Sequence, residues 1–101
     1  MAKGYWIARV DVTDPETYQA YVRANAVAFA KFGARFLVRG GAYSAVEGVA
    51  RARQVVLEFK DYATARACYD SEEYRQAKDL RVKASQTELV IVEGYDGPQP
   101  G

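Results

Sequence analysis

Hydrophobic and polar residues alternate along residues 5–12. Trp6, Ala8, Val10 and Val12 fall on one face, and Tyr5, Ile7, Arg9 and Asp11 on the other. A period of two marks a strand with one buried face. The pattern then turns helical. In Thr13-Asp14-Pro15-Glu16, Asp14 can accept from free N–H groups, Pro15 fits the first helical position, and Glu16 suits the helix dipole. The apolar stripe Tyr18, Tyr21, Val22, Phe29 and Phe32 carries this helix to about residue 32, where Gly33 is placed to end it in a left-handed conformation. Residues 34–39, through Phe36, Leu37 and Val38, predict a second strand. Gly40-Gly41 predicts a bulge or bend, and residues 43–47 are candidates to extend the strand beyond it. Gly48 begins a turn, and a third strand over 53–59 places Val55, Leu57 and Phe59 on one side. The second and third strands should form a hairpin.

Asp61 caps a second helical region whose inner face holds Ala65, Cys68 and Tyr69. Asp70-Ser71-Glu72-Glu73 reads as a break followed by a new cap, so two helical pieces are expected. The second piece carries Tyr74, Ala77, Arg81 and Ala84 at helical spacing, and residues 88–93 form the last strand. Residues 1–94 are thus one domain, and 95–101, rich in glycine and proline, a flexible tail.

Strand, helix, strand, strand, helix, strand is the βαββαβ order of an α+β ferredoxin-like domain. Right-handed crossovers place both helices on one face of a four-stranded antiparallel sheet. The opposite face is left uncovered, with Tyr5, Ile7, Val56 and either Leu89 and Ile91 or Val90 and Val92 near it. A second copy of the chain is the simplest cover, which predicts a homodimer. The alternative is a solvated face, since Arg9, Asp11, Gln54 and Glu58 lie among these residues.

Composition narrows the chemistry. At 101 residues the chain can bury one core without disulfides. Fourteen basic and 13 acidic residues leave a net charge of +1, with no electrostatic reason to bind nucleic acid or an anionic membrane. The fold order also matches RNA-recognition domains, but the third strand lacks their basic-glycine-aromatic signature. No apolar run is long enough to span a bilayer, and the N-terminus lacks a signal peptide's apolar stretch, so a cytoplasmic location is expected. Histidine is absent and Cys68 is the single cysteine. That removes Ser-His and Cys-His nucleophile pairs and histidine-ligated metal or haem sites. No carboxylate cluster has metal-site spacing, so neither metal nor cofactor is expected.

Several segments together resemble the domain of unknown function 1330 family, a branch of the dimeric α+β barrel superfamily. They are Thr13-Asp14-Pro15, Phe36-Leu37-Val38-Arg39-Gly40-Gly41, Val46-Glu47-Gly48, and Tyr69-Asp70-Ser71-Glu72-Glu73-Tyr74 with Arg81 following. The resemblance runs from Gly4-Tyr5-Trp6 to Glu93-Gly94-Tyr95. It implies a dimer whose sheets face each other, and no particular reaction. Proteins of this architecture include cofactor-free oxygenases, small-ring isomerases and haem-handling enzymes, an analogy at the level of the fold alone.

Candidate site residues come from polar groups on apolar faces. Asn25 interrupts the stripe of the first helix, seven residues after Tyr18. It reads either as a ligand contact between helix and sheet or as a buried amide bonded to backbone. Arg81, on the inner side of its helix, could hold a carboxylate in a two-pronged contact or join an internal salt bridge. Arg39 and Glu47 flank the glycine pair; Glu47 is a candidate general base and Arg39 a candidate anion contact. Tyr18, Tyr21, Tyr69 and Tyr74 form either an aromatic core with hydroxyls at its rim or a ligand cage. The candidates are therefore Glu47 and Tyr69 for catalysis, and Tyr18, Asn25, Arg39 and Arg81 for ligand binding. Two functions fit: a cofactor-free enzyme acting on a small carboxylate or aromatic metabolite, or a non-catalytic dimeric ligand-binding or structural module.

Overall fold

The computed structural model describes residues 2–101. Seven elements follow in order: β1 (Gly4–Val12), α1 (Pro15–Phe32), β2 (Arg35–Arg39), β3 (Arg53–Phe59), α2 (Tyr62–Asp70), α3 (Glu72–Ala84) and β4 (Ser85–Glu93). The strands form one antiparallel sheet in the order β2-β3-β1-β4. This is the ferredoxin-like α+β fold.

The helix ends are built as their residues dictate. The Asp14 side chain accepts from the Thr17 N–H, Asp61 from Thr64, and Ser71 from Tyr74, satisfying donors that the first turns leave free. Ser71 both closes α2 and opens α3, which is why the second helical region is split. Gly33, at φ 68°, caps α1 in the left-handed conformation. Residues 43–47 do not extend β2. The segment from 40 to 52 has no regular secondary structure, and Tyr43, Val46 and Val49 are exposed along it. It lacks a partner strand, because the β2–β3 ladder ends at Arg39 opposite Val55.

The core lies between the helices and one sheet face. Trp6 is its centre, with ring contacts to Phe29, Phe59, Tyr69 and Tyr74. The Trp6 indole N–H donates to the Ala65 carbonyl at 2.9 Å, which gives a fully buried donor its partner. Cys68 is buried, its thiol facing the Ala28 carbonyl at 3.9 Å, and burial pushes its pKa up to about 12. It is a small core residue, in keeping with the absence of a flanking cation.

The β1–β4 register settles which residues of β4 face outward. Leu89 pairs with Ala8 and Ile91 with Trp6, so both point to the core, while Val90 opposite Ile7 and Val92 opposite Tyr5 point away. The outer face is thus apolar across Tyr5, Ile7, Val56, Val90 and Val92. It is charged at one end, where Arg51 bridges Asp11 at 2.8 Å and Glu88 at 3.2 Å.

Candidate functional site: a cavity between helices and sheet

A cavity lies between α1, α3 and the inner sheet face, with about 470 Å³ of unfilled space, part of it open to solvent. Its inner walls are aromatic and aliphatic, including Trp6, Phe29, Val55 and Leu57. Asn25 and Arg81, the two buried polar residues among those described, both border it and are 6 % and 8 % exposed. Each comes from a different helix. The turn between β1 and α1 binds the end of α3, with the Thr13 and Asp14 N–H groups both donating to the Ala84 carbonyl. This brings the start of α1 beside the last turn of α3, so Tyr18 and Arg81 face the same space.

Tyr21 and Tyr74 form the back of the site. Their hydroxyls are hydrogen-bonded at 2.8 Å, and the Asn25 amide lies near enough to favour the ionised Tyr21 phenol. Burial raises both phenol pKa values well above the ordinary tyrosine range, so both stay protonated near neutral pH. Asn25 thus lies beside the Tyr21 hydroxyl and borders the cavity.

Arg81 has no such partner. None of the ion pairs among the described residues involves it, and its Nε is buried without a hydrogen-bond acceptor. The positive charge favours the ionised forms of the nearby Tyr21 and Tyr74, although burial dominates both.

Two further arginines enter from the sheet. Arg53 lies in phase with Val55, Leu57 and Phe59 on the inner face of β3, and its guanidinium sits 5.7 Å from the centre of the Tyr18 ring. Its Nε is also buried and unpartnered. Arg39 reaches the cavity through a β-bulge. Phe36 pairs with Leu57, Leu37 is skipped, and Val38 and Arg39 pair with Val56 and Val55. The extra residue turns both Phe36 and Arg39 inward, where strict alternation would have turned Val38 inward with Phe36. Arg39 is exposed at the rim, its guanidinium 4.1 Å from the centre of the Phe36 ring.

Tyr18, Asn25, Arg39 and Arg81 thus line one cavity, and Glu47 and Tyr69 do not. Glu47 is exposed in the irregular segment after β2. Tyr69 packs against Trp6 and Tyr74, with Lys78 4.9 Å from the centre of its ring. Arg53 is a further site residue, marked in the sequence only as a cation in phase with the buried face of its strand. No Asp or Glu lines the cavity, and no group of three or more potential metal ligands occurs among the described residues.

With this geometry in place, the chain can be set beside known proteins. The family model for a domain of unknown function (DUF1330) matches residues 3–95, and the chain belongs to that family. No curated protein matches the sequence. Among solved structures, a protein of unknown function from Rhodopseudomonas palustris is 16 % identical, with a TM-score of 0.76 over 95 % of this chain and 85 % of that one. SnoaB, a cofactor-independent oxygenase from Streptomyces nogalater, is 13 % identical with a TM-score of 0.63, over 99 % of this chain and 97 % of its own. A dimeric ferredoxin-like protein of unknown function from Thermobifida fusca is 18 % identical, with a TM-score of 0.59 over 91 % of this chain and 89 % of that one. At such identities the likeness is one of fold.

Proposed function

We propose that this chain is a self-associating domain that binds a small organic molecule, without a bound cofactor, in the cavity between its helices and sheet. One observation carries the reading: Asn25 and Arg81, buried polar residues on two different helices, converge on a single cavity. A buried guanidinium without an acid partner costs free energy, and such a cost is retained where a function uses it. Residues 1–94 supply the fold and 95–101 a tail outside the site. The absence of a helix long and apolar enough to cross a membrane, among the described residues, is consistent with a cytoplasmic protein.

Self-association uses the uncovered face of the sheet. Tyr5, Ile7, Val56, Val90 and Val92 form its apolar part, and Val90 is 58 % exposed. The dimeric state of the Thermobifida fusca protein, which shares the fold, supports the same use here.

A catalytic reading rests on the cavity's charge. Arginines and protonated tyrosines are donors, and no carboxylate lines the wall to act as a base. Such a site suits a substrate that ionises by its own acidity, with the arginines stabilising the anion formed. SnoaB, described as a cofactor-independent oxygenase, has the same fold and supports this second reading. Glu47 and Tyr69, outside the cavity, are then candidates only for a role at its entrance or beyond.

A thermal-shift screen of small acidic, aromatic and neutral metabolites tests the binding function. Ligands of the native state raise its melting temperature by mass action. A ligand whose shift is lost on Arg81→Met would support the cavity. A screen in which every shift survives that substitution would contradict it.

A further inference from the structure

We infer that the cavity takes a small organic acid, with its carboxylate held between Arg53 on the sheet and Arg81 on the helix layer. The inference rests on the proposed binding function and gives it a ligand class. Three observations carry it.

The first is the pair of unpartnered donors. Among the buried side-chain nitrogens and oxygens of the described residues, the atoms without a hydrogen-bond partner are Arg53 Nε and Arg81 Nε, and both residues line this one cavity. Buried donors are nearly always satisfied, so two orphans of the same kind facing one space call for a shared acceptor. The second is charge. Three arginines and no acid border the cavity, so the positive charge of its wall, including the buried Nε groups of Arg53 and Arg81, has no acid partner there. A ligand anion supplies both the missing charge and the missing acceptor, and guanidinium pairs with carboxylate through matched planar geometry.

The third is the shape and the remaining wall. The Arg53 guanidinium lies against Gly40, where a methyl group would meet it, and Gly40 holds a φ of 67° that favours glycine. The Gly40 N–H also donates to the Gln54 carbonyl beside Arg53, at 2.8 Å. Around the charged groups the partly exposed walls are Val22, Phe36 and Leu89, which suit an apolar or aromatic body rather than a second anionic group.

Two matched ligand pairs isolate the charge: benzoate with benzamide, and propionate with propionamide. In ¹⁵N-labelled native protein, the Nε–H resonances of Arg53 and Arg81 should move saturably with the acids and stay in place with the amides. Arg53→Met should weaken the response at Arg81 about tenfold or more, as expected when one of two charge-assisted contacts is lost. Equal movement with acid and amide would overturn the ligand class, as would inorganic phosphate displacing both acids from the two arginines. If the amides shift the Asn25 side chain while both Nε–H resonances stand still, the organic-acid class falls and the cavity's binding role survives. If none of the four compounds moves any cavity resonance, both fall.

Discussion

The hydroxyls of Tyr21 and Tyr74 sit 2.8 Å apart, on helices α1 and α3, and form a hydrogen bond at the back of a cavity that also exposes Asn25 and Arg81. The pair ties the two helices together by polar groups inside an otherwise aromatic layer. It also keeps two protonated phenols beside an unpaired guanidinium. Stability and ligand chemistry therefore meet in the same few side chains, and substitutions there can separate them.

Tyr74→Phe removes one hydroxyl and with it the hydrogen bond to Tyr21. The loss should be about 1 kcal/mol, the usual net contribution of one hydrogen bond, because the ring and its contacts to Trp6 and Phe29 remain. Denaturant unfolding measures it. A loss several times larger would show that the hydroxyl pair also organises the aromatic packing.

Asn25→Leu should behave differently from Arg81→Met. Asn25 lies beside the Tyr21 hydroxyl, so losing that polar neighbour should cost about 1 kcal/mol. Equilibrium unfolding of the two variants, measured together, distinguishes an amide with a polar neighbour from an unpaired cation.

Alkaline solution should destabilise the fold. Burial raises the pKa of Cys68 from 9.0 to about 12, and those of Tyr21 and Tyr74 above their ordinary 10.0. A raised pKa means that the folded state keeps the proton after the unfolded chain has lost it. The stabilisation is complete below pH 9 and is lost as pH rises from there, first through the thiol and then through the phenols. Each group adds a slope of up to about 1.4 kcal/mol per pH unit. Stability measured from pH 7 to 11 should be level as far as pH 9 with respect to these groups and fall beyond it. Cys68→Ala should remove the part of the fall that begins near pH 9.

Light scattering should report twice the 11.2 kDa chain mass at micromolar concentration, and Val90→Lys should shift the protein toward monomer. Val90 lies on the outer face of β4, clear of the core. A monomer at high concentration in the unsubstituted protein would leave the uncovered face to solvent.

Most of the fold was legible because local signals agreed with one another. Asp14, Gly33, Asp61 and Ser71 each cap a helix where their chemistry suggests, and the alternation in β1 and β3 matches the buried face. The orientation of β4 was not legible, since Leu89, Val90, Ile91 and Val92 are apolar at every position and only pairing with β1 tells inner from outer. Arg39 was singled out from its place beside the glycines, but what turns it inward is a bulge that no single residue encodes. Arg53 escaped notice at the polar start of a strand. Glu47 drew attention through sequence proximity to Arg39, yet the 40–52 segment carries it away from the cavity.

The central claim is that Arg81 is buried for a ligand rather than for the fold. The most direct measurement is the melting temperature of the native protein and of Arg81→Met, each with and without benzoate. Arg81 has no acid partner to leave stranded, so the account predicts that Arg81→Met is at least as stable as the native protein. Replacing buried charge by a well-packed apolar residue is often neutral or stabilising by about 1–4 kcal/mol. Benzoate should raise the melting temperature of the native protein alone. A variant destabilised by about 3–5 kcal/mol, the cost of breaking a buried pair, would contradict the account and make Arg81 a structural residue.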